Sequence, residues 1–108
     1  MKNVKIVVFV PTTHTQKVLE AIGKSGGGVI GNYSYCSFSS EGIGRFKPHE
    51  KASPFIGKSG ELEEVKEVKI EFIYPKNKAK SIIEIMKEAH PYEEVAFDIY
   101  SLLDENEL

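Results

Sequence analysis

His90-Pro91-Tyr92-Glu93-Glu94 gathers more ligand-capable side chains than any other stretch of this chain. One imidazole and two carboxylates stand on a segment stiffened by proline, and with His14 or His49 folded nearby they would suit zinc or another divalent ion. That set has a plainer competing role. A histidine at a helix end can bond the last carbonyls, and adjacent glutamates entering a strand point to opposite faces. A second set is cationic. Arg45 is the one arginine among fourteen basic residues, and its planar fork matches phosphate or carboxylate. Lys47, Lys58 and the flexible Gly57 lie within reach of it in sequence. His14 opens a helix where backbone donors favour an anion. Against this stands an exposed hairpin arginine held by a surface salt bridge.

Other motifs carry less chemistry. Gly26-x-Gly28-x-x-Gly31 spells the dinucleotide fingerprint, but the fingerprint must leave a strand and open a helix. Here it leaves a helix, so the glycines read as a helix stop and tight turn. Cys36 has no activating neighbour in sequence, and Ser37, Ser39 and Ser40 lack the glycine elbow of a nucleophilic serine. No catalytic residue is assigned.

The elements that must position these residues follow from periodicity. Val4 to Val10 is a short, β-branched apolar run ended by Pro11 and predicts a buried strand. Thr13 and Gln16 stand as in a capping box, and Val18, Leu19 and Ile22 make a helical stripe that stops at Gly26. Residues 33–38 read as a second strand, Gly42 and Gly44 as a turn, and residues 43–47 as a segment pairing back. Pro48 to Gly60 is too long for a plain connector and is expected to serve as a ligand lid or subunit contact. Val65 to Tyr74 alternates apolar and charged residues, which predicts a strand with one wet face. Asn77 or its neighbour caps a helix carrying Ala79, Ile82, Ile83, Met86 and Ala89, which Pro91 ends. Val95 to Tyr100 closes the fold as a strand, and an acidic tail from about residue 103 is expected to fray.

The order is βαββαβ, which predicts an α+β ferredoxin-like sandwich with both helices on one face of an antiparallel sheet. At 108 residues the chain fits a single domain. Two helices leave the other sheet face bare, and the apolar run from Ile6 to Val10 makes that face greasy, so a homo-oligomer is expected. A net charge of −2 gives no basic footprint for nucleic acid. Neither a membrane span nor a signal-peptide apolar region is visible, and a lone cysteine allows no internal disulfide. A cytoplasmic protein is expected.

Several segments together resemble a known family. They are Phe9-Val10-Pro11, His14, Gly28-Val29-Ile30-Gly31-Asn32-Tyr33, Cys36-Ser37-Phe38, Gly42-Ile43-Gly44-Arg45-Phe46-Lys47-Pro48, Pro54-Phe55-Ile56-Gly57, Gly60-Glu61-Leu62-Glu63 and His90-Pro91-Tyr92-Glu93-Glu94. In this combination the chain resembles the insert domain of the YqfO, or Nif-three-like, proteins, which also occurs alone. The resemblance implies a fold similar to the PII signalling proteins and to the CutA proteins, commonly trimeric. It further implies that the family's dinuclear metal ligands lie in flanking halves outside this segment. The function expected is a non-enzymatic, oligomeric binding or regulatory module, taking a small anion or a divalent metal at subunit clefts. Two alternatives stand beside it: a metal-dependent hydrolase-like enzyme using His90, Glu93 and Glu94, and an interaction domain that docks on a separate metal-bearing partner.

Overall fold

The computed structural model describes residues 2–108. Strand β1 (Asn3–Pro11) leads through a helical turn into helix α1 (Thr15–Lys24). Strands β2 (Phe38–Phe46) and β3 (Glu63–Pro75) follow, then helix α2 (Ala79–Ala89) and strand β4 (Phe97–Ser101). The sheet runs β2-β3-β1-β4 with every pair antiparallel. This is the βαββαβ sandwich that the periodicity predicts.

Alternation assigns the two sheet faces. Val4, Ile6, Val8 and Val10 of β1 join Val68, Ile70, Phe72 and Tyr74 of β3 in the core, against Val18 and Ile22 of α1 and Ile82 and Met86 of α2. Burying such a face accounts for most of the stability of two helices only ten and eleven residues long. The opposite face is mixed. Val7 is almost fully shielded between its neighbours Glu71 and Asp98, while Phe9 and Ile73 are half-buried among Lys5, Lys69 and Glu71. It is therefore less greasy than the apolar run alone implies.

The second strand departs from expectation. Residues 33–37 are loop, with Tyr35 in the left-handed region at φ 60° and its ring laid over Gly23 of α1. Gly42 and Gly44 are no turn: they sit within β2, facing Glu67 and Val65 of β3. A continuous ladder from Phe38 to Phe46 satisfies the backbone here, and the pairing partner lies too far along the chain for local pattern to show it. Because β1 pairs only with Glu67–Pro75, the stretch Glu63–Lys66 and its partners Ile43–Phe46 run past it as a two-stranded arm.

Smaller corrections are local. Thr13 does not cap α1; its hydroxyl bonds the ring of His14 at 2.8 Å. Asn77 lies in a helical turn, and α2 starts behind Lys78 without a side-chain cap. The last strand begins at Phe97, two residues later than expected. The tail closes in a turn capped by Asp104, with Glu107 bonded to Lys2 at 2.7 Å. Gly26, Gly28 and Gly31 all have positive φ, as a helix stop and turns require.

Ile70 is fully buried where sheet and helices meet. Ile70→Ala is expected to lower unfolding free energy by about 2–5 kcal/mol in urea titration.

Candidate functional site

The site grows from the end of α2. Pro91 disfavours a helical backbone at the residue before it, and His90 accordingly takes φ −85°, ψ 138°. The chain leaves the helix and turns toward the sheet. The His90 side chain is buried, with Nε2 2.7 Å from the Phe9 carbonyl oxygen and Nδ1 3.1 Å from the Tyr92 backbone N. A carbonyl only accepts and a backbone N–H only donates. His90 is thus the Nε2–H tautomer, and both ring nitrogens are engaged within the protein. Burial lowers its pKa, more strongly than the Phe9 carbonyl and the Glu67 charge raise it, and His14 lowers it slightly further.

This clasp sets Tyr92 over the arm. The Tyr92 hydroxyl donates to Glu67 Oε2 at 3.1 Å, and its ring meets Phe46, Phe55 and His90 at centroid separations of 5.7, 6.4 and 4.9 Å. Burial pushes the phenol well above its usual range, and the charge and hydrogen bond of Glu67 add to that. Glu67 is only 9% exposed. Its carboxylate lies where a Cβ on Gly44 would stand, which explains a glycine in mid-strand.

The long loop forms the third wall. Gly60 N–H donates to the Pro48 carbonyl at 2.8 Å and closes it, while Ser53 N–H donates to both oxygens of Glu93, at 2.7 and 3.0 Å. Phe55 reaches back to His14, edge to face at 5.4 Å. Between the arm, the loop and the 90–94 turn lies an open cleft of about 610 Å³. Phe9, Phe46, Pro54, Phe55, Ile56 and Tyr92 give it apolar walls, and Glu67 and Lys69 also line it.

The residues picked from sequence scatter. Arg45, Lys47, Glu93 and Glu94 line the cleft; His14, Gly57, Lys58 and His90 do not. Arg45 is exposed and paired with Glu64 at 3.1 Å, the plainer of its two roles. Gly57, at φ 95°, rests against Glu63, and Lys58 is exposed. His14, His90, Glu93 and Glu94 are not gathered as ligands: the nitrogens of His90 are taken, and Glu93 holds the loop. Among the described residues no three His, Cys, Asp or Glu side chains are grouped to hold a metal ion. Glu67, Phe46 and Phe55 were absent from the sequence candidates. Gly44, which reads as part of a turn, is the one local sign of the close approach of Glu67.

Comparison with known proteins places this geometry. No family model matches the chain. A Halalkalibacterium halodurans protein named GTP cyclohydrolase 1 type 2 homolog is 54% identical over 103 residues, 95% of this chain and 28% of the relative. The crystal structure of a Bacillus cereus protein related to NIF3 superposes with a TM-score of 0.83 at 50% identity, over 95% of this chain and 26% of that one. The chain is a homologue of one segment of the Nif-three-like proteins. It spans about a quarter of the length of the relatives it matches. The Nif-three-like segment also shares its fold with a PII-like CutA protein from a Nostoc species, at TM-score 0.68 and 16% identity, over 100% of this chain and 86% of that one. No helix among the described residues of this segment is long and apolar enough to cross a membrane.

Two outcomes test the site geometry. An alanine methyl at position 44 collides with the Glu67 carboxylate, whereas one at position 42 meets nothing within 4 Å. Gly44→Ala is expected to cost about 1–3 kcal/mol through the lost Tyr92 bond, and Gly42→Ala to stabilise by about 0.4–1 kcal/mol, in thermal or urea melts. The second concerns pH. Because the folded pKa of His90 lies below its ordinary value of 6.5, the unfolded chain binds more protons just below that value, so stability is full above it and falls as pH drops through it. Melts of wild type and His90→Gln from neutral pH to about pH 5 should show a slope in wild type that the variant lacks; equal slopes would remove His90 as the cause.

Proposed function

We propose that this chain is a non-enzymatic binding module that works as a homo-oligomer, with its ligand held in the cleft beneath the 90–94 turn. The observation that carries the reading is the cleft itself, a cavity of about 610 Å³ with apolar walls and a few inward polar groups. Binding sites have this character. The polar groups around it act as fasteners: His90 clasps strand to turn, Glu93 clasps turn to loop, and Glu67 is bonded to Tyr92. None is poised as a nucleophile beside a base, which favours binding over turnover.

Self-association is supported by the uncovered face of the sheet. Phe38 and Tyr100 on that face are 68% and 53% exposed, and Ile43 on the other face of the arm is 55% exposed. Apolar surface in that quantity is commonly covered by another chain. A trimer is the assembly that resemblance to the PII and CutA proteins implies.

Native mass spectrometry of untagged protein at micromolar concentration reads subunit number and retained ligand together. A trimer, with or without a small adduct, is expected. A monomer at every concentration would overturn the assembly.

A further inference from the structure

Glu67 is anomalous in its surroundings. Nine-tenths buried, it lines an apolar cleft, yet the ion pairs among the described residues are Lys2–Glu107 and Arg45–Glu64, neither of which involves it. Lys69, two residues along the same strand face, makes no ion pair with it. Its hydrogen-bond partner is the Tyr92 hydroxyl on Oε2, and no donor is placed on Oε1, which lies over Gly44 in the cleft wall. Oε1 is not fully enclosed, so a group entering the cleft can reach it, and a mostly buried carboxylate gains from a charged donor there because desolvation without a partner is costly.

The walls around it are aromatic. Tyr92 stands within 5.7 Å of Phe46 and 6.4 Å of Phe55, centroid to centroid, and all three rings line the same cavity as Glu67. Ring faces attract a cation, and their area accepts an apolar body. Glycine at position 44 leaves room for the carboxylate to lie flat against the strand, open to an incoming N–H group.

We infer that the cleft is a site for an organic ammonium ion, its N–H donating to Glu67 Oε1 and its apolar carrier lying against Phe46, Phe55 and Tyr92. The inference rests on the reading of the cleft as a binding site and adds the chemical class of what enters. The same chemistry has two sources, a free amine or a lysine side chain of a second copy of this chain. Either completes the hydrogen bonding of Glu67.

Phenethylammonium and phenethyl alcohol share a carrier and differ in charge. Calorimetric titration of each into wild type and Glu67→Gln, with native mass spectra of both proteins, tests the proposal. Wild type should take the ammonium ion about tenfold or more tightly than the alcohol, with Glu67→Gln erasing the difference. That result at unchanged subunit number identifies a free amine. Failure of the ammonium ion to bind an assembled wild type, with assembly lost in Glu67→Gln, identifies a lysine of a second copy. Equal binding of ammonium ion and alcohol to wild type would overturn the proposal while leaving the cleft a binding site, and it decides even if Glu67→Gln misfolds. Binding of neither, with assembly unchanged in Glu67→Gln, would overturn the proposal, and absence of assembly as well would remove the binding-module reading beneath it.

Discussion

The clasp made by His90 holds this site together. One ring nitrogen donates to the carbonyl of Phe9 at the end of β1, and the other accepts the amide of Tyr92, so a single side chain joins the sheet to the turn that follows α2. Its geometry depends on two covalent facts, the extended backbone that Pro91 imposes and the neutral tautomer that burial favours. With the clasp closed, the Tyr92 ring lies over the arm of β2 and β3. Without it the turn would keep two hydrogen bonds to the sheet, from the Tyr92 hydroxyl to Glu67 and from Phe9 N–H to the carbonyl of Ala96.

What the clasp stabilises is a chain of weak contacts whose order matters more than their individual size. A net hydrogen bond contributes about 1 kcal/mol, whereas an unpartnered buried group costs more. Glu67 therefore sits where the balance is finest. Tyr92 satisfies one of its oxygens, and the other keeps some solvent contact and has no donor from the protein. The loop from Pro48 to Gly60 is drawn in by Glu93 rather than by a core of its own, since His49, Lys51, Ser53, Phe55 and Lys58 are all exposed. Such a loop opens at little expense. The rigid wall of the cleft is the sheet, and the adjustable wall is the loop.

Sequence patterns showed the frame well. The alternation of Val68, Ile70 and Phe72 with Glu67, Lys69 and Glu71 marked β3, and the spacing of Ile82, Ile83, Met86 and Ala89 marked α2, because in both cases one face is buried by one kind of neighbour. Strand β2 was illegible for the opposite reason. Its outer edge is exposed, its interior holds Gly42 and Gly44, and its register is dictated by β3, whose paired residues lie 17 to 33 positions further along the chain. The His90 segment stood out for its ligand-capable side chains. The bonds that occupy those side chains run to Phe9 and Ser53, which no local spacing reveals. Glu67 occupied a position in β3 that reads as solvated, and only the return of Tyr92 and the loop makes it buried.

The central claim is that His90 is a neutral clasp with Nε2 protonated and Nδ1 accepting from Tyr92. Long-range proton–nitrogen correlation NMR on uniformly labelled protein reads the tautomer of each histidine ring directly. A protonated Nε2 and bare Nδ1 for His90, persisting below pH 6.5, the ordinary imidazole value, is the result this account predicts. A His90 ring protonated at Nδ1, or one already doubly protonated at pH 6.5, would contradict it.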